Sequence, residues 1–200
     1  MEIIDNFLTE KDFVALRDVI TAPDFDWHFS PGNDELDEER SSPGLFTHII
    51  HGEHEPFGHS SSCFRLLFCS LLSSVQFPGL GGVGVHIARI RINLNCKFPE
   101  PHKYMFHLDM SLGYPISAQW TTSILYINTN NGYTEFEDGT IVESVANRLV
   151  SFPANILHRG VSQTDEETRI LINFNYLREY MQDEAEDQFA EESPDNILYN

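Results

Sequence analysis

The chain has 200 residues, of which 41% are hydrophobic, and 31 acidic against 12 basic side chains give a formal net charge of −19. That length can enclose one packed core, while the charge disfavours broad binding to nucleic acid, because an acidic surface repels phosphates. No apolar run is long enough for a membrane span, and the three cysteines form no C-x-x-C pair. With no secretory signal at the start, these features favour a reducing cytosol.

The N-terminal part predicts helices that support a sheet, over residues 1–80. A short strand at Glu2 to Ile4 precedes a helix with Thr9 as its N-cap, in which Phe13, Leu16 and Ile20 recur at helical spacing. Residues 31–42 read as a polar, acidic loop. Residues 61–76 are apolar enough for a second helix against the sheet.

Residues 83–177 predict a β-rich core. Runs rich in β-branched and aromatic residues follow one another, with turn signals between several of them: VHIARIRINLN, KYMFHLD, WTTSILYIN, GYTEF, NRLVSF and TRILINFNY. Many short strands at this spacing favour an antiparallel sandwich or barrel, so the expected class is mainly β with flanking helices, α+β. The acidic tail, residues 178–200, predicts a frayed or disordered end.

His107 and Asp109 are the sharpest local feature. In a strand, residues i and i+2 point to the same face, so an imidazole and a carboxylate would project together. These are two of the three ligands in a 2-His-1-carboxylate metal site. His158, just after the run NRLVSF, is the best-placed third ligand, with a solvated loop histidine as the alternative.

Arg169 lies within the apolar run TRILINFNY. An arginine there either points outward or needs an anion, and a carboxylate matches the guanidinium fork. Tyr126 could donate a hydrogen bond to the same anion, with a core tyrosine as the alternative. Asn95 and Thr122 could line the pocket by strand-face alternation.

The ordered motifs H-L-D, L-Y-I-N, N-G-Y-T-E-F, N-R-L-V-S-F-P, L-H-R-G and T-R-I-L-I-N-F resemble the 2-oxoglutarate and iron(II) dioxygenase superfamily. They cover roughly residues 85–177 and are most similar to its prolyl 4-hydroxylase-like branch, which includes phage members. The resemblance implies a double-stranded β-helix, or jelly roll, within a single domain over residues 1–177. A phage-encoded protein of this kind would work in the host cytoplasm.

The resemblance also implies roles for individual residues. His107, Asp109 and His158 match the iron ligands, Arg169 matches the residue that binds the distal carboxylate of 2-oxoglutarate, and Tyr126 and Tyr104 match tyrosines near that co-substrate. The implied cofactors are iron(II), 2-oxoglutarate and dioxygen, with ascorbate as an optional reductant. The implied reaction couples decarboxylation of 2-oxoglutarate to succinate with hydroxylation of an unactivated C–H bond.

The leading substrate expectation is a prolyl residue in a peptide or protein, with free amino acids and small metabolites as alternatives. Two other functions stay open: a cupin-like metal enzyme without 2-oxoglutarate, which leaves Arg169 unexplained, and a non-catalytic binding module of the same fold. The four histidines between 48 and 59 have irregular spacing, which favours a loop over the site rather than a second metal centre.

Overall fold

The computed structural model describes residues 1–31, 43–52, 85–109 and 119–178. Within these ranges it has one helix and ten strands. Their bounds are β1 (Glu2–Ile4), α1 (Glu10–Ile20), β2 (His28–Ser30), β3 (Leu45–Gly52), β4 (Val85–Cys96), β5 (Trp120–Tyr126), β6 (Tyr133–Phe136), β7 (Ile141–Glu143), β8 (Leu149–Pro153), β9 (His158–Val161) and β10 (Thr168–Arg178). The expected second helix, nearly all of the acidic loop and residues 179–200 of the tail lie outside the described residues.

The strands form two antiparallel sheets. The major sheet has seven strands in the order β1-β8-β5-β10-β4-β3-β2, and the minor sheet has three in the order β7-β6-β9. Apolar residues of both sheets pack together in one cluster that includes Ile124, Phe136 and Phe152. The fold is a double-stranded β-helix with helical support, so the predicted fold class is confirmed.

Helix α1 covers the outer face of the major sheet. Thr9 caps it by accepting a hydrogen bond from the backbone N–H of Asp12, which satisfies one of the free donors at a helix start. The predicted stripe of Phe13, Leu16 and Ile20 is buried against apolar side chains of β4, β5, β8 and β10. This cluster is the larger of the two cores; the inner face of the major sheet carries the second, smaller core and the polar side chains of β4 and β10.

Two local predictions were wrong. Residues 103–109 do not form a continuous strand: only Lys103 and His107 make isolated bridges to β9, and Asp109 follows in a bend. His48 and His51 lie in strand β3, not in a loop. A register shift between Ile49 and His51 explains their irregular spacing, because an extra residue in one strand breaks the period of two.

In the part of the chain that the structure describes, no helix is long and apolar enough to cross a membrane.

Candidate active site

His107, Asp109 and His158 converge at one point between the two sheets. His107 and His158 are paired across a β-bridge, with backbone N–H···O distances of 3.0 and 3.2 Å in the two directions. The Nε2 atoms of His107 and His158 lie 3.7 and 3.9 Å from the two carboxylate oxygens of Asp109. One ligand atom from each residue lies within 4.8 Å of the others, which is close enough for a single ion to join them.

The backbone orients both imidazoles in the same way. Nδ1 of His107 lies 3.1 Å from the carbonyl oxygen of Met105, and Nδ1 of His158 lies 3.2 Å from that of Ile156. A carbonyl only accepts, so each Nδ1 carries the proton and each Nε2 keeps a free lone pair toward Asp109. Phe152 packs edge-on against His158 and holds its ring in place.

The major sheet holds the carboxylate. Arg89 in β4 places a terminal nitrogen 3.4 Å from Oδ1 of Asp109 and 3.2 Å from its backbone carbonyl. Asn175 in β10 donates to Oδ2 of Asp109 at 3.4 Å and to the hydroxyl of Thr122 at 3.0 Å, and it accepts from Nε of Arg89 at 3.0 Å. Partners of this kind fix the orientation of a metal ligand.

The electrostatics favour the metal-binding protonation states of Asp109 and His158, and the protonated form of His107. Burial raises the pKa of Asp109, but the neighbouring His107 and the charges of His158 and Arg89 lower it far below its usual value. Burial lowers the pKa of His158, which favours its neutral form. For His107 burial acts in the same direction, but the carboxylate of Asp109 raises the pKa above the ordinary value.

These donors fit a ferrous ion. Two imidazoles and one carboxylate on one side of an ion form the set that non-haem iron oxygenases use, with positions left open for other ligands. The tethered Nδ1 atoms and the supported carboxylate mean that little rearrangement is needed for binding. His107 is half exposed, whereas Asp109 and His158 are buried, so the ion would be approached from the His107 side.

A cavity of about 470 Å³ adjoins the cluster, within the size range of small-ligand sites. The predicted site residues His107, His158, Arg169 and Tyr104 all line it, and so does Asn95. Thr122 is fully buried and reaches the site only through Asn175.

Arg169 points into the protein, not toward bulk water. Only 2% of its surface is exposed, and its side chain donates to the hydroxyls of Ser144 at 2.7 Å and Thr134 at 3.3 Å. Burial lowers the pKa of its guanidinium, and no acidic side chain of the described residues forms an ion pair with it. A buried cation with only neutral partners is unfavourable until an anion arrives.

The two tyrosines lie on different sides of Arg169. Tyr104 lines the cavity, and its hydroxyl is buried without a hydrogen-bond partner. Tyr126 is fully buried; its ring lies 5.6 Å from the guanidinium carbon of Arg169, and its hydroxyl donates to Thr134 at 2.8 Å. Tyr126 and Arg169 therefore both donate to the hydroxyl of Thr134. A direct contact between Tyr126 and a co-substrate stays a prediction.

Gly132 makes room for Arg169. A Cβ atom at this position would lie 2.8 Å from Cδ of Arg169 and 2.9 Å from the carbonyl oxygen of Val161. Contacts that short force the neighbours to move, so any larger residue at 132 would displace the arginine.

Sequence reasoning missed the residues that support the cluster of His107, Asp109 and His158 or line the cavity. In β4 and β10 these are Arg89, Arg91, Asn93, Asn173 and Asn175. A signal was present: in RIRINLN and RILINFNY, polar residues alternate with apolar ones at all but one position, a period of two that predicts one polar face.

A second group of possible metal ligands comprises Asp26, His28 and His48. Asp26 and His28 form an exposed pair at 3.2 Å, while Nδ1 of His48 lies 2.7 Å from the backbone carbonyl of Asp26. The structure thus brings one histidine of the irregular cluster beside two residues that sequence analysis did not connect with it. His54 and His59 lie outside the described residues.

No family model and no curated protein matches the chain. Solved structures do match. A prolyl 4-hydroxylase from Pseudomonas putida is similar over 90% of this chain and 92% of its own, with a TM-score of 0.53 and 18% identity.

Two further structures have a TM-score of 0.56. A prolyl hydroxylase from Trichoplax adhaerens, in complex with a peptide from hypoxia inducible factor, covers 96% of this chain and 87% of its own at 14% identity. SnoK, an alpha-ketoglutarate-dependent carbocyclase from nogalamycin biosynthesis, covers 99% and 88% at 15% identity. At such identities the likeness establishes the fold, which is that of 2-oxoglutarate and iron(II) oxygenases.

Proposed function

We propose that this protein is an iron(II)- and 2-oxoglutarate-dependent dioxygenase that hydroxylates an unactivated C–H bond. The observation that carries the proposal is Arg169, a buried guanidinium without an acidic partner among the described residues, in the same cavity as a convergent His107, Asp109 and His158 cluster. A metal cluster alone would suit many enzymes, but the added cation specifies a ligand with a carboxylate.

Each part of the site has a distinct task. His107, Asp109 and His158 would hold the iron, which when bound supplies the oxidative chemistry with dioxygen. Arg169, with Thr134 and Ser144 beside it, would bind the distal carboxylate of 2-oxoglutarate, since a guanidinium fork matches a carboxylate. The buried walls would exclude water from the reacting groups.

The alternative of a cupin-like metal enzyme without 2-oxoglutarate explains the three ligands but gives Arg169 no role. A non-catalytic binding module explains neither the intact ligand set nor the support of Asp109 by Arg89 and Asn175. Both alternatives are therefore weaker.

For the substrate, we propose a prolyl group. Two of the similar structures are named prolyl hydroxylases, one of them with a bound peptide, while SnoK indicates that the same fold accepts other substrates. We further propose one catalytic domain over residues 1–177, action in a reducing cytoplasm, and ascorbate as an optional reductant that keeps the iron ferrous.

The test is an anaerobic titration of 2-oxoglutarate into the iron(II)-loaded protein. We expect a weak visible absorption band that saturates with 2-oxoglutarate, and succinate formation once oxygen is admitted. His158→Ala, which removes one ligand, should lose the band, while Asp18→Ala on the exposed face of α1 should keep it. An iron-loaded protein that binds no 2-oxoglutarate would overturn the proposal in favour of the cupin-like enzyme.

A further inference from the structure

Arg91 is a second guanidinium of the cavity that lacks a counter-charge. It lies in β4, where its register partner in β10 is Asn173, and it lines the cavity together with His107 and Arg169. Its Nε atom is shielded from solvent and has no hydrogen-bond partner. The described residues form no salt bridge with it.

Three arginines of the inner face have different surroundings. Arg89 is paired with Asp109 and Asn175, and Arg169 donates to two hydroxyls, whereas Arg91 has neither kind of partner. Burial and the neighbouring charge of Arg89 lower the pKa of Arg91, while Asp109 raises it only as the weakest of these influences. Such a group is unfavourable until an anion reaches it.

Arg91 and Arg169 occupy separate positions along the sheet. Arg169 is paired with Asn95, four residues from Arg91 on the same strand, which places the two positions roughly 13 Å apart at the usual strand rise. In the proposed function, one carboxylate of 2-oxoglutarate goes to Arg169 and the other lies toward the metal. Arg91 is then not needed to bind 2-oxoglutarate.

The neighbours of Arg91 add hydrogen-bond acceptors. The side-chain oxygens of Asn93 and Asn173 are both buried without partners, and both residues line the cavity. Unsatisfied buried acceptors are rare in folded proteins, and small shifts on ligand binding can pair them with N–H or O–H groups. A positive group beside two acceptors complements a molecule that carries a carboxylate and a donor close together.

We propose that Arg91 binds a free carboxylate of the hydroxylated substrate, which is a small carboxylic acid with an adjacent N–H or O–H donor. The inference rests on the proposed dioxygenase function and replaces its substrate: the hydroxylated molecule would be a free acid, such as an amino acid, and not a prolyl residue inside a peptide. The cavity volume of about 470 Å³, shared with the co-substrate, also favours a small molecule.

The first experiment uses the wild-type protein loaded with iron(II) and 2-oxoglutarate. Succinate formation is measured with the twenty L-amino acids and with simple hydroxy acids, each matched with its carboxamide, and with a blocked peptide that has an internal proline. We expect at least one free acid to stimulate succinate formation and to gain 16 Da, with its carboxamide at least about 30-fold less effective. Stimulation by the blocked peptide alone, or by no acid at all, would overturn the inference.

The second experiment compares Arg91→Gln with Arg91→Lys and with Arg17→Gln, a matched change on the exposed face of α1. Arg91→Gln should raise the KM for the stimulating acid at least about 30-fold and remove the preference over the carboxamide, while Arg91→Lys restores part of both. The Kd for 2-oxoglutarate, read from the anaerobic band, should change less than about threefold, since Arg169 is intact.

The outcomes distinguish a failure of the proposed function from a failure of the role proposed for Arg91. If the wild type binds no 2-oxoglutarate, the proposed function fails. If it binds 2-oxoglutarate but Arg91→Gln weakens that binding as strongly as Arg169→Gln does, Arg91 belongs to the co-substrate site and only this inference fails. The comparison of acid and carboxamide needs no variant, so it decides the substrate class even if Arg91→Gln does not fold, and Arg91→Lys then tests the residue.

Discussion

Strands β4 and β10 present two opposite chemistries on their two faces. On the outer face, Ile90, Ile92, Ile170, Ile172 and Phe174 pack into the core that α1 covers. On the inner face, the alternate positions are mostly polar, and they face the metal cluster and the cavity: Arg89, Arg91, Asn93, Asn95, Arg169, Asn173 and Asn175.

The difference shows how one pair of strands can serve stability and binding separately. The outer side chains remove apolar surface from water, which favours folding. The inner side chains are polar groups in a buried place, which costs stability unless each has a partner. Substitutions on the two faces should therefore affect different measurements.

The largest effect is expected at Asp109, whose carboxylate is held against the inner face. Asp109→Ala should abolish iron-dependent succinate formation, because it removes one ligand and leaves the guanidinium of Arg89 without its counter-charge. The measurement is succinate release under saturating iron(II) and 2-oxoglutarate, with Asp18→Ala as the control. Retained turnover would remove Asp109 from the ligand set.

Arg169→Gln should raise the Kd for 2-oxoglutarate at least about 30-fold, since loss of a buried charge-assisted pair costs about 2–5 kcal/mol. The ligand-free protein should not lose stability, because the change removes a buried charge that has no acidic partner. Anaerobic titration and thermal unfolding measure the two effects, with Arg17→Gln on the exposed face of α1 as the control. An unchanged Kd would show that Arg169 does not bind 2-oxoglutarate.

Ile172→Ala tests the outer face. Its side chain is fully buried, so truncation should lower the free energy of unfolding by about 2–5 kcal/mol, and Ile172→Val by about 0.5–1.5 kcal/mol. Urea unfolding measures the loss. The folded variant should bind 2-oxoglutarate within about threefold of the wild type. A much larger change in affinity would mean that the two faces are coupled.

Asn175→Ala should weaken iron(II) binding by about 10–100-fold, because this side chain connects Arg89, Asp109 and Thr122 around the carboxylate. The adjacent outward residue offers a matched control in Phe174→Leu, which should lower stability and leave iron affinity unchanged. Equal iron affinity in Asn175→Ala and wild type would limit the role of Asn175 to packing.

The smallest effect concerns Glu135 in the minor sheet, outside both faces. Hydrogen bonds from Arg159, opposed by burial and reinforced by Lys103, lower the pKa of its carboxyl below 4.5. Its contribution to stability is therefore complete above pH 4.5 and lost as the pH falls through the lowered value. Glu135→Gln should cost less than about 1 kcal/mol at pH 7, and in thermal unfolding the difference from wild type should vanish in acid.

The sequence predicted which side chains meet at the candidate site better than it predicted the residues around them. His107, Asp109, His158 and Arg169 stand in ordered motifs, and the β-rich core with its covering helix follows from periodicity and from the cap at Thr9. The reason given for His107 and Asp109, one face of a continuous strand, was wrong. The structure instead brings them together through a bridge to β9 and a bend.

The support of Asp109 could not be read from spacing alone. It depends on the register that sets Arg89 opposite Asn175, and a slip of one residue in either strand would turn that strand's side chain to the other face. The β3 strand was missed for a related reason, since its register shift hides the alternation around His48. Pairing partners distant in the chain decide both features.

The bare backbone at Gly132 leaves room for the side chain of Arg169. In the proposed function, the distance from this guanidinium to His107, Asp109 and His158 would determine the length of diacid that fits between them. A methyl group at 132 would push the arginine from its present position, so this residue would influence which diacid binds although it is not one of the groups proposed to hold it.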